Sequence, residues 1–297
     1  MIIQEVFAHV GTVIAPVLLC VLVGYGLALA KAPFDNKVIG SLVANIGYPA
    51  LILSHLVDQH VDATAFMTMV GAALASVIAF GLISMVFLAL TGMPKRAFLA
   101  PLMLNNVGNI GLPVAALAFG PEGMAYAIAF VVVVLVGIFT IGIGLPMGRI
   151  SARDLLRQPV IYAVAVALIM LATGVTAPGP VDKALDILGG LAIPLMLLTL
   201  GHTLATLKVG HLKTGAVLSV FHVVMAAAVA FGLVHAFGFT GTARDVFIVM
   251  CLMPVSVAVY LWVDIYDPDH APQVAGFILI STILTVLVLP LALAFWI

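Results

Sequence analysis

Charge is scarce in this chain. Of its 297 residues only 8% are Asp, Glu, Lys or Arg, 12 acidic and 11 basic, for a formal net charge of −1. A soluble domain carries about 25% charged residues, so this chain cannot cover a water-facing surface. That shortage excludes a soluble enzyme and a disordered chain. With no basic face to neutralise phosphates, it also excludes a nucleic-acid binder. Cysteine is almost missing. Cys20 and Cys251 both lie in apolar runs, which excludes a disulfide framework and a Cys-x-x-Cys metal site. Catalytic signatures are missing as well: no His-Glu-x-x-His zinc motif, no Gly-x-Ser-x-Gly elbow and no phosphate loop. Gly142-Ile-Gly144 has no acid after it, which argues against an intramembrane aspartyl protease. The expectation is a protein that is not an enzyme and needs no metal or cofactor.

Hydrophobicity is abundant: 64% of residues are apolar and the mean hydropathy is +1.32. The apolar runs are long and unbroken, where a β-barrel would alternate in roughly ten-residue segments. They predict an all-α polytopic membrane protein, since a spanning helix needs about 20 mostly apolar residues. Division at the charged and turn-rich breaks predicts ten spans: 6–30, 38–57, 64–91, 97–119, 122–147, 158–176, 184–207, 214–237, 244–263 and 272–297. The breaks are Lys31–Lys37, Asp58–Asp62, Thr91–Arg96, Gly120–Gly123 and the arginine-bearing stretch 148–159. The N-terminal Met-Ile-Ile-Gln-Glu has no positive region and no cleavage site follows it, so the first span is expected to be retained.

Lys and Arg resist translocation. With the N-terminus outside, the inside loops hold Lys31, Lys37, Lys95, Arg96, Arg149, Arg153, Arg157, Lys208 and Lys213, and the outside loops only Lys183 and Arg244. Both termini are then expected outside. Prolines recur at nearly one offset: Pro16 and Pro159, Pro49 and Pro194, Pro113 and Pro254, Pro146 and Pro290. This suggests a five-span unit used twice, 1–147 and 158–297, joined by a cytoplasmic connector at 148–157. Because five is odd, the second copy inserts upside down, a recurring plan of secondary transporters.

The fourth span contains Asn105-Asn-Val-Gly-Asn-Ile-Gly-Leu-Pro113. Glycine weakens a helix, and proline removes a hydrogen bond and clashes with the preceding turn. Backbone groups freed in hydrocarbon must be satisfied by protein or by a water-lined cavity. The span is therefore expected to be two half-helices joined by an unwound segment. The ninth span, with Pro254 in Met250–Tyr260, is its counterpart. Two interrupted spans in matching positions point to a transport site. Half-helix N-termini, expected after Gly111 and Met253, aim free N–H groups and a positive dipole end into the cavity and favour an anion. The candidate substrate-binding residues are Asn105, Asn106, Asn109, Gly111, Pro113, Pro254, Ser256 and Tyr260, with Asn45 on the opposite wall beside Tyr48. His222, inside the eighth span, is read as a satisfied helix-contact residue, with proton handling as the alternative.

These residues resemble the auxin efflux carrier family, PIN-like transporters, in its bacterial branch. The resemblance covers essentially the whole chain. It rests on Asn45-Ile-Gly-Tyr-Pro49, the Asn105–Pro113 run, Leu188-Gly-Gly-Leu-Ala-Ile-Pro194-Leu, Met253-Pro254 and the C-terminal Ser281-Thr…Leu-Pro290 helix. It implies a ten-helix inverted-repeat fold like that of sodium–proton antiporters and bile-acid symporters. Spans one, two, six and seven would form a scaffold, often dimeric, and the other spans a transport domain with two crossing broken helices. It implies an elevator-type carrier of a mono- or dicarboxylate such as auxin, malonate or malate, with the family's crossover positions falling on Asn105, Asn109, Pro113 and Pro254. One departure is the stretch after Pro254, Val-Ser-Val-Ala, where many relatives have an Asn. The alternatives are a sodium- or proton-coupled carboxylate symporter on the same fold, for which Asn106 and Asn109 would offer cation ligands, and a membrane sensor that binds a ligand without moving it.

Overall fold

The computed structural model describes residues 2–58, 62–149 and 155–295, with side chains for 11–55, 62–149 and 155–294. Arg153, counted above among the inside charges, lies outside the described residues, as do 59–61 of the loop between the second and third spans and the side chain of Asp58.

The protein is all-helical. The helices are α1 (Ile2–Leu29), α2 (Asn36–Leu42), α3 (Tyr48–Asp58), α4 (Ala63–Thr91), α5 (Lys95–Met103), α6 (Leu112–Gly137), α7 (Ile143–Met147), α8 (Pro159–Thr173), α9 (Gly179–Gly190), α10 (Ala192–Thr206), α11 (Leu212–Phe237), α12 (Gly241–Cys251), α13 (Val257–Tyr266) and α14 (Ala271–Phe295). Single π-turns at Val43–Gly47, Val107–Gly111 and Ile138–Gly142 join α2 to α3, lead into α6, and join α6 to α7. Among the described residues the one β-type pairing outside helices is an isolated antiparallel bridge, Asn105 with Val255.

Most helix starts fall within three residues of those expected from hydropathy. Two begin earlier: α1 at Ile2, where residue 6 was expected, and α9 at Gly179, where residue 184 was expected. In α9, Pro180 sits in the first turn with Asp182 behind it, both favourable at a helix N-terminus. α4, α8 and α11 stop where a glycine takes the left-handed conformation, at Gly92, Gly174 and Gly238.

Seven stretches among the described residues are long and apolar enough to cross a membrane in one piece. One of them, Val107–Met147, runs 41 residues, roughly 60 Å at 1.5 Å per residue and twice the hydrocarbon thickness. Gly120 divides it, with φ 62° and ψ −154°, a conformation open only to glycine. Length alone overlooks the stretches that are short or interrupted: α5 with its break, α8 at 15 residues, and α12 with α13.

α1 packs along α10, and α3 lies against α8 and α9. Separately, α11 packs along α14, and α4 against α5, α6 and α11. The tightest contacts use glycine. A β-carbon on Gly24 would run into the Leu198 carbonyl, and one on Gly201 into the Val21 carbonyl, so α1 and α10 touch backbone to backbone. Gly215 meets Gly276 in the same way between α11 and α14. Apolar lipid supplies no hydrophobic drive for helix association, and close backbone approach through small residues replaces it.

Candidate functional site

The two interrupted stretches meet. α5 ends at Met103, and the chain runs extended through Leu104 before the π-turn begins at Val107. α12 ends at Cys251, and α13 starts at Val257. The free ends pair across each other. The Asn106 N–H donates to the Pro254 carbonyl at 2.6 Å, and the Ser256 N–H donates to the Leu104 carbonyl at 3.0 Å. Further backbone groups are met from the side. The Val255 N–H donates to Ser281 Oγ at 3.4 Å, and Thr285 Oγ1 donates to the Leu252 carbonyl at 3.5 Å, both hydroxyls coming from α14. Unwound backbone at this depth is tolerated because protein groups absorb its polarity.

The break in the fourth span does not fall where its proline suggested. It lies at Leu104–Asn106, so Gly111 ends the π-turn and Pro113 is the second residue of α6. A proline near a helix start costs little, because its missing N–H is one of the unbonded first-turn donors. The Asn106 carbonyl accepts from both the Ile110 and Gly111 N–H groups, at 3.2 and 3.3 Å, and this starts the helix ahead of Pro113. Pro254 does lie inside its unwound segment.

The three asparagines of the run are used differently. Asn105 is 2% exposed and fully engaged. Its Nδ2 donates to the Cys251 carbonyl at 2.7 Å and the Met250 carbonyl at 3.3 Å, the last turn of α12. Its Oδ1 lies 2.9 Å from Nε2 of His222 on α11. Asn106 is 3% exposed, and its Nδ2 has no hydrogen-bond partner among the described residues. A buried donor left unbonded costs about 1–3 kcal/mol. Asn109 is half-buried one turn on.

The remaining candidates divide. Gly111 is buried against Met250 and Met253, so the sulfur of Met250 would stand 2.7 Å from a β-carbon there. Pro113 and Pro254 are buried, and Ser256, 2% exposed, precedes α13 without capping it through its side chain. Tyr260 is half-buried one turn into α13, beside Asp264. Asn45 is not brought to the crossing. It is exposed, and its Nδ2 donates to the Ser41 carbonyl and hydroxyl, both at 2.9 Å.

Tyr48 does reach the crossing. Its hydroxyl occupies the space where a β-carbon on Gly108 would stand, so the second span touches the π-turn that follows the unwound segment. The tyrosine beside Pro49 was visible in the sequence, but its contact with Gly108 was not. The role of His222 as Asn105's partner was equally hidden, because 117 positions separate them. Among the described residues no group of three or more His, Cys, Asp or Glu side chains is placed to hold a metal.

Comparison with known proteins adds a family. The model of the family described as membrane transport protein matches residues 9–149 and 144–293. An uncharacterized transporter of Methanocaldococcus jannaschii is 29% identical over 201 residues, covering 64% of this chain and 64% of that protein. The chain thus aligns with a little under two thirds of that relative's length.

Proposed function

Because this chain belongs to the membrane transport protein family, that of the auxin efflux carriers, we propose that it is a secondary transporter of a small organic anion, a mono- or dicarboxylate, with its binding site at the crossing of the two broken helices. The observation that carries this reading is the Asn106 amide. Its Nδ2 is buried at the crossing without a hydrogen-bond partner among the described residues, next to the paired Leu104–Ser256 and Asn106–Pro254 backbone. A donor in that position suits an acceptor brought by a ligand. The π-turn at Val107 and helix α13 at Val257 both begin at the crossing and direct N–H groups toward the same ligand. A site of dipoles and amides holds an anion loosely enough to release it. Asn105 is a structural member of this site, and Asn106 and Asn109 are its ligand donors.

The proposal includes ten spans in two inverted halves. Four of them form a scaffold of α1, α2 with α3, α8, and α9 with α10, against which the crossing moves as an elevator. The pairing of α1 with α10 and of α3 with α8 and α9 supports that division. The proline offsets also support it. Pro49 and Pro194 both lie in first turns after an irregular segment, and Pro146 and Pro290 both lie inside helices. The protein would reside in a bacterial inner membrane with both termini outside, as a homodimer.

Purified protein on a solid-supported membrane tests the function. Malonate, malate, lactate, pyruvate and indole-3-acetate are supplied in turn, with and without sodium and proton gradients. The expected result is a saturable current with at least one anion, needing no added cation gradient and lost in Asn106→Ala and Asn109→Ala. Current only with sodium or protons would replace uniport by symport. Saturable binding without any flux would favour the sensor.

A further inference from the structure

We propose that His222 is a positioning residue of the crossing: through one hydrogen bond it orients Asn105, and Asn105 in turn grips the end of α12 and presents Asn106. This rests on the crossing being the transport site, as proposed above. Asn105 Nδ2 faces two carbonyls, Met250 and Cys251. Carbonyls only accept, so the amide must turn its NH2 toward them and its Oδ1 toward His222. An amide oxygen also only accepts, so His222 must carry its proton on Nε2. Both assignments, usually ambiguous in a structure, follow here from the chemistry of the partners.

The ring cannot swing away from that bond. His222 is 1% exposed. Phe80 of α4 flanks it at a centroid distance of 6.3 Å, and Phe277 of α14 meets it edge-on at 6.2 Å. Three helices therefore fix where Nε2 points. The relay then runs from α11 through Asn105 to the last carbonyls of α12 and to the pairing with Val255. Asn106 is the next residue along the chain, so its Nδ2, without a partner among the described residues, is aimed by the same bond.

Two neutral amides distinguish this from a general need for a polar group. Glutamine places its NH2 close to where histidine carries Nε2, and asparagine places it close to Nδ1. His222→Gln retains the donor, His222→Asn withdraws it at equal polarity, and His222→Leu removes it. All are made in a Cys20→Ser background, which leaves Cys251 the sole thiol. Two readouts are taken. One is anion flux: His222→Gln is expected to keep KM within about twofold, while His222→Asn and His222→Leu raise it about tenfold, the equivalent of one buried hydrogen bond, with a smaller fall in maximal rate. The other is alkylation of Cys251 by a small maleimide in detergent. Cys251 is fully buried, and its carbonyl is the one Asn105 holds at 2.7 Å, so it should react slowly in the parent and His222→Gln and several-fold faster in His222→Asn.

Equal KM and equal alkylation in His222→Gln and His222→Asn would overturn the proposal, and this pair decides it even if His222→Leu fails to fold. If no anion is carried by the parent but the alkylation order holds, the positioning role stands and the transport reading falls. If flux is normal and the alkylation order is absent, the reverse applies.

Discussion

Asn105 and Asn106 are neighbours of the same type and equal burial, yet their side chains have opposite duties. Asn105 satisfies two carbonyls and a histidine, whereas the Asn106 Nδ2 has no partner among the described residues. Removing each amide should therefore have different effects. Asn105→Ala leaves the His222 N–H and the end of α12 unpartnered, and about 1–3 kcal/mol of stability should be lost. Thermal unfolding in detergent would register it as a clear drop in Tm. Asn106→Ala removes a group that is already unsatisfied, so Tm should hold or rise while anion flux falls. Equal drops in Tm would refute this division. The sequence displayed the three asparagines as one polar run; only the partners, 117 and 145 positions away, divide them.

Among the elements, the fourth span shows how far a local signal reaches. Its glycines and Pro113 marked it as interrupted, and it is. The interruption falls at Leu104–Asn106, because pairing of Leu104 with Ser256 and of Asn106 with Pro254 draws the backbone out of helix before Pro113 is reached. Gly108 explains a second part of this geometry. Its missing side chain leaves room for the Tyr48 hydroxyl. Gly108→Ala should disturb the π-turn beside the crossing and reduce transport, an overpacking effect of about 1–3 kcal/mol. Tyr48→Phe removes the hydroxyl that the new methyl group would strike, so the double variant should recover much of the flux and Tm. A double variant no better than Gly108→Ala would show that the glycine serves something other than this contact. Asn45, chosen from the same Asn-Ile-Gly-Tyr-Pro49 segment, faces outward instead. The π-turn at Val43–Gly47 adds a residue to the turn, and a helical wheel drawn from sequence does not anticipate that change of facing.

Over the whole molecule, backbone contact between helices replaces the hydrophobic drive that water would supply. Gly24 and Gly201 let α1 and α10 approach until main chains touch. Gly201→Leu would force the pair apart and should lower Tm by several degrees in lipid or detergent, without changing the crossing directly. If flux falls while Tm holds, that contact serves movement and not assembly. The all-helical, membrane-embedded class was legible from charge and hydropathy, and so were most helix starts to within three residues. Lengths of unbroken helix were less so, since Gly120 divides one 41-residue stretch and other spans are short or broken.

The sequence by itself determined the environment, the helices and the presence of two weak points, Asn105–Pro113 and Pro254. Those follow from composition and from the local chemistry of glycine and proline, which act on the backbone within a turn. Tertiary structure alone decided where the chain unwinds, which asparagine is bound and which is left open, and that Tyr48 and His222 reach the crossing. The contacts behind them join residues far apart in the chain, Asn106 with Pro254, Asn105 with His222 and Tyr48 with Gly108, and hydrogen bonding in a medium without water leaves the backbone only the groups that folding brings to it.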